Sequence, residues 1–232
     1  MDPVKTINQI LGIKESYQAP SRLMDILYDR ERREDVFMQF LEAFNYDVSY
    51  DWFHEYFQNE HADRKEKKQD FTPNSVSDVL NRLVGSKPDS RTYDVAAGTG
   101  GITIRKWEFD RMQHSPFDYR PSLYFYWCEE LSERAFPFLL FNLLIRGMNA
   151  VAIRCDVLSR QSEGAFFIQN DKDDHLGFSS LNLLPYNEFV ERELKVHFTS
   201  HRYKPIKETL SWPKHLVSEP MNAKETEQLS LF

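Results

Sequence analysis

The chain has 232 residues, 41% of them hydrophobic and 14% aromatic, and a formal net charge of −7. That length supports one sizeable domain with an appendage, and the acidic balance argues against tight non-specific binding to nucleic-acid backbones, which needs clustered Lys and Arg. The N-terminal "MDPVKTINQILG" lacks a basic stretch followed by a long apolar one, and no run reaches the ~20 apolar residues of a membrane span, so a cytoplasmic protein without membrane contact is expected.

Residues 1–68 read as a helical N-terminal region. Ser21, after Pro20, is a candidate cap for "RLMDILYDR". Val36, Phe37, Phe40, Leu41 and Phe44 then recur at helical spacing, and Trp52, Phe53, Tyr56 and Phe57 repeat the pattern. "DRKEKK" (63–68) reads as a charged, solvated linker.

Residues 69–203 alternate between strand and helix patterns. Thr72-Pro73 reads as a cap and first-turn proline for a helix carrying Val76, Val79, Leu80 and Leu83, closed by Gly85. Strands are predicted at 92–97, 122–128 and 149–158, with the nearly all-apolar helix "RAFPFLLFNLLIRG" (134–147) between the last two. "GAFFIQN" and "FSSLNLLPY" are further strand candidates, and "NEFVEREL" (187–194) a helix. This order predicts an α/β sheet with parallel pairing, covered on its faces. Cys128 and Cys155 fall in the strands and read as buried thiols in a reducing compartment. Residues 204–232 lose periodicity and read as a flexible tail.

"DVAAGTGG" (94–101) joins a strand to a helix, and its glycines allow a sharp turn and close backbone approach. It would sit at a strand's carboxyl end, where open α/β sheets bind ligands. A P-loop needs Gly-Lys-Ser/Thr, but the loop continues "GITIRK". A dinucleotide fingerprint needs a third glycine and an acid about 20 residues on; that glycine is missing, and the acids closing the next strand, Glu129 and Glu130, lie further along. A third class is S-adenosylmethionine (SAM), held by the loop amides and by acids at the strand ends.

Taken in order, "QDFTP", "DVAAGTGG", "EELSERAFPFLLFNLLIRG" and "CDVL" resemble the adenine-N6 DNA methyltransferases, especially the modification subunits of type I restriction systems. The resemblance covers residues 69 to 158. It implies a Rossmann-like SAM-dependent methyltransferase sheet. It also implies that Phe71, Thr72 and Pro73 line the methionine side and that Asp94, Ala96, Gly98 and Gly100 form the cofactor loop. Glu130 would take the ribose, and Asp156 would meet the cofactor's adenine. No metal is implied.

The family's acceptor loop, Asn or Asp followed by Pro-Pro and an aromatic, is present only in part. "NLLPY" (182–186) offers Asn182, Pro185 and Tyr186 as degenerate catalytic candidates, with Leu183 where the polar acceptor belongs. Asn182 is one residue early, which in a strand points it to the other face. "QNDKDD" (169–174) has Asn170 but reads as a hairpin turn. His197 and His201 lack the Glu of a zinc-protease helix and read as surface residues. The chain has no room for a target-recognition domain, so DNA contact would come through a partner subunit.

The closing "QLSLF" resembles the peptide by which bacterial replication and repair proteins dock on the DNA polymerase sliding clamp. Gln228, Leu229, Ser230, Leu231 and Phe232 match it at every position. That resemblance implies a bacterial, phage or mobile-element setting. Two functions follow as expectations. One is an adenine-N6 methyltransferase-like protein, weak or lost in turnover, tethered to the clamp. The other is a non-enzymatic interaction protein using the methyltransferase fold as a scaffold to target or inhibit the clamp.

Overall fold

The computed structural model describes residues 2–54, 56, 72 and 74–209. Phe71, Pro73, Phe57, the 63–68 linker and the whole "QLSLF" segment lie outside the described residues.

Three helices open the chain: α1 (Pro3–Leu11), α2 (Ala19–Leu27) and α3 (Arg30–Ala43). Asp2 caps α1 by accepting from Val4 N and Lys5 N, and Gly12 closes it in the left-handed conformation. Ser21 is not a cap. It lies inside the first turn of α2, where its hydroxyl donates to the Gln18 carbonyl, because Pro20 occupies the opening turn, where a missing N–H costs nothing. Asp29 caps α3 by accepting from Arg32 N.

The second half holds α4 (Asn74–Val84), β1 (Ser90–Asp94), α5 (Gly101–Arg111), β2 (Tyr124–Glu130), α6 (Phe136–Ile145) and β3 (Ala150–Cys155). It continues through β4 (Gln161–Gln169), β5 (Ser180–Leu183), α7 (Glu188–Leu194) and β6 (His197–Phe198). The sheet order is β1-β2-β3-β4-β5, with β6 beside β4. β1, β2 and β3 are parallel, in register from Asp94↔Cys128 and Glu130↔Arg154. β4 returns antiparallel to β3, and β5 is antiparallel to β4. The fold is a Rossmann-like α/β sheet, as its alternation predicted, but parallel pairing stops at β3. The connection from β3 to β4 is a short turn, Asp156–Arg160, and a short turn can join only antiparallel neighbours.

One core joins the N-terminal helices to the sheet. α6 is buried on every side, so its apolar character all round has a physical reason. Phe141 packs between Phe37 and Phe40, with ring centroids 4.8 Å from each, and Phe138 lies 4.8 Å from Phe53. Truncating such a ring to Ala typically costs about 3–5 kcal/mol. Cys128 and Cys155 are buried free thiols. After β6 the chain runs back along β5, where Leu183 N donates to the Ile206 carbonyl and Asn182 bridges to Lys207. Among the described residues no helix is long and apolar enough to cross a membrane.

Candidate functional site: the glycine loop and the acids beside it

β1 delivers Asp94 at its carboxyl end. One carboxylate oxygen accepts from Thr103 Oγ1 at 2.8 Å, and the other from Ala96 N at 3.4 Å. Burial pushes the Asp94 carboxyl above the usual carboxylate range, against the pull of those two bonds. Gly98 and Gly100 both take positive φ, 58° and 99°. A Cβ on Gly100 would sit 3.1 Å from Leu139 Cδ1, so this glycine also lets α6 approach the loop. The turn is closed by Gly100 N on the Ala97 carbonyl, and α5 starts at once.

Glu130 ends β2 beside the loop. Its Oε2 accepts from Gly98 N at 2.6 Å and its Oε1 from Ser132 N at 2.5 Å. The carboxylate thus ties the loop to the start of the next connection, and two of its roughly four lone-pair sites are used. The neighbouring Glu129 has a different task. Arg160 grips it in a fork, Nη1–Oε2 2.6 Å and Nη2–Oε1 3.0 Å, and the Trp127 indole adds a bond at 2.8 Å. Burial works to raise this carboxyl, but the Arg160 fork and Trp127 outweigh it and leave it below the ordinary range. The two acids are therefore separated by role, with Glu130 facing the glycine loop.

Asp156 follows β3. Its Oδ1 accepts from Leu158 N at 2.9 Å and its Oδ2 from the Ser159 hydroxyl at 3.0 Å, which hold its carboxyl below the usual range. It is exposed and shapes the β3–β4 turn. Leu131 and Leu158, next to these acids, are exposed apolar side chains at the same end of the sheet, as is Val95 beside Asp94. Thr72 is half-buried and Ala96 exposed.

A buried network that sequence reading missed supports the loop from behind. Asp51, in the segment after α3, accepts from Thr99 Oγ1 at 2.5 Å, Asn142 Nδ2 at 2.8 Å and Phe53 N at 3.0 Å. Asn142 Nδ2 also donates to the Thr99 carbonyl. Arg146 donates to Asn142 Oδ1 and to the carbonyls of Val48, Tyr50 and Asn142. Burial lowers the Arg146 guanidinium to about 10. Asn142 and Arg146, four apart in an otherwise apolar helix, were the available signal: polar groups placed there need buried partners.

The geometry brings Asp94, Ala96, Gly98, Gly100 and Glu130 together, with Asp156 two strands over. The family model for N-6 DNA methylase matches residues 47–174. This chain belongs to the N-6 DNA methylase family. The match takes in more than half of the chain and spans Asp51, the glycine loop, Glu130 and Asp156. No curated protein matches the sequence.

The remaining candidates of this N-6 DNA methylase lie elsewhere. Asn182 is in β5, separated from β1 by three strands. Its Oδ1 accepts from Glu208 N and Thr209 N, both at 2.9 Å, and its Nδ2 donates to Thr209 Oγ1 and the Phe167 carbonyl. The Tyr186 hydroxyl donates to the Glu163 carbonyl and accepts from Tyr203 N, and its ring stacks on His201 at 4.2 Å. Pro185 precedes it in the turn out of β5. Asn170 caps the 170–174 turn by accepting from Asp174 N. A cavity of about 530 Å³, lined by Tyr17, Met24, Tyr28, Arg134, Pro137 and Tyr203, lies between α2 and the start of α6 and includes none of the loop residues. Among the described residues no cluster of His, Cys, Asp or Glu could hold a metal.

Proposed function

We propose that this methyltransferase-family protein binds SAM at the carboxyl ends of β1, β2 and β3. The observation that carries the reading is the Gly98–Glu130 bond, which sets an acid with spare acceptor sites against a glycine loop. Glu130 suits a pair of ribose hydroxyls, since a carboxylate accepts and never donates when ionised. Leu131, Leu158 and Val95 offer apolar contact to an adenine ring or a methionine chain. Bound SAM supplies a sulfonium-activated methyl group; the loop amides and Glu130 bind and orient it. Calorimetry with SAM and with its demethylated product tests this directly.

The same reading gives the isolated chain weak or no methyl transfer to adenine N6. Asn182 has both faces of its amide committed to the 207–209 segment and Phe167, so it supports the scaffold function over turnover. Single-turnover transfer of labelled methyl to DNA separates the two: robust transfer favours an enzyme, and none with SAM bound favours the scaffold.

The clamp role rests on Gln228, Leu229, Ser230, Leu231 and Phe232. Leu231 and Phe232 would fill an apolar pocket of the bacterial sliding clamp and Gln228 would hydrogen-bond at its rim. A linear motif of this size binds with a dissociation constant of order micromolar, about −8 kcal/mol. Comparing the full chain with one ending at Glu227 tests it: clamp binding should disappear and the melting temperature stay unchanged. Binding by neither chain, or a sharply lower melting temperature, counts against it.

A further inference from the structure

β1 has one ladder partner among the described residues, β2, and forms an edge of the sheet. That is an unusual place for the strand that carries the glycine loop. Ligand crevices of open α/β sheets form where strand order reverses, between two strands whose connections leave in opposite directions. Here the chain moves from β1 to β2 to β3 in one direction, so the crevice has a wall on one side only.

α4 packs beside α5 and leads through the short 85–89 segment into β1; Arg105 Nη2 on α5 meets Asp78 at 2.6 Å. α5 itself lies over β1 and β2, as the Thr103–Asp94 and Tyr126–Asp110 bonds show. The sidedness of α4 is inverted for a monomer: Ser77 and Asn81 are buried, and Val76, Val79, Leu80, Leu83 and Val84 are 45%, 57%, 41%, 78% and 73% exposed. The first four form one stripe at i, i+3, i+4 and i+7. On the other sheet face Tyr93, beside Trp127 at 5.5 Å, is 59% exposed.

We propose that this edge is the interface between two copies of the chain, with β1 pairing antiparallel to β1 and α4 packing against α4. A two-fold axis makes such a surface self-complementary. Centred on Thr92, it sets Arg91 of each copy opposite Tyr93 of the other, a cation–π pair on one face, and Ser90 opposite Asp94. The exposed α4 stripe, Val84 and Tyr93 offer on the order of 600 Å² per copy, more than most monomers leave bare in one patch and enough in a pair for a standard interface. The antiparallel arrangement also brings the 85–89 segment of each copy beside the other's glycine loop. Each cofactor crevice thereby gains its second wall.

The test uses the full-length chain, with mass measured by light scattering across a wide concentration range. The expected result is twice the 27.6 kDa chain mass. Leu83→Asp should return it to one chain mass with unchanged circular dichroism, because that side chain is mostly exposed within its own copy. Leu176→Asp, on another exposed leucine, should leave the doubled mass intact. Thr92→Cys should cross-link under mild oxidation, since residues facing each other across an antiparallel pair lie ~4.5–5.5 Å apart between Cα atoms, within disulfide reach. A single chain mass at every concentration overturns the proposal and leaves the edge to a different protein or to residues beyond 209. A doubled mass that survives Leu83→Asp, with no Thr92→Cys cross-link, overturns it too.

Discussion

Thr99, inside the glycine loop, donates its hydroxyl to Asp51, 48 positions earlier in the chain. The loop's conformation is thus held from the N-terminal region as well as from β1 and α5. Asp51 also accepts from Asn142, and Arg146 completes the ring of contacts against the Val48 and Tyr50 carbonyls. Removing one member leaves the others buried without partners.

Asp51→Ala should therefore destabilise the fold by about 3–5 kcal/mol, the usual cost of stranding buried charged and polar partners. Asp51→Asn should cost less, because an amide oxygen can still accept from Thr99. Denaturant melts of the three proteins check the order. Equal stability of Asp51→Ala and the parent would mean the network is idle.

The Glu129–Arg160 pair predicts a dependence on pH. The folded-state pKa of Glu129 lies below its unfolded value, so the stabilisation is present above the unfolded carboxyl value of ~4.3 and lost as pH falls through the folded value. Glu129→Gln should be less stable than the parent by about 1–3 kcal/mol at neutral pH, and the gap should close in acid. Urea midpoints measured from neutral to acid pH decide it; a constant gap would point to a loss unrelated to charge.

Asn182 is expected to matter for structure. Its amide joins β5 to the Lys207–Thr209 segment through four hydrogen bonds. Asn182→Ala should lower stability by about 1–3 kcal/mol, since buried backbone donors lose their acceptor, and should leave SAM affinity unchanged. A variant of full stability would show that the segment is held by something else.

Much of the cofactor loop was legible in the sequence because glycines, acids and strand ends are local signals. The spacing of "DVAAGTGG" and "EEL" fixed the strand–turn–helix and the neighbouring acid without any long-range contact. Strand limits drifted by a few residues: β1 runs 90–94 where 92–97 was expected, and β2 runs to Glu130, so the two acids close the strand. The Arg160 fork on Glu129 and the Asp51 carboxylate behind Thr99 were invisible, because each joins residues tens of positions apart. The antiparallel course of β4 was also missed. Its apolar run reads the same in either direction, and only the short 156–160 turn reveals it.

The central claim, that the glycine loop and Glu130 hold SAM, is tested most directly by calorimetric titration of the parent chain and Glu130→Ala. The parent should bind, and Glu130→Ala should bind about 1–3 kcal/mol more weakly, roughly ten- to a hundredfold, through lost charge-assisted hydrogen bonds. No heat from the folded parent at high SAM concentration, or equal affinity in both proteins, would contradict it.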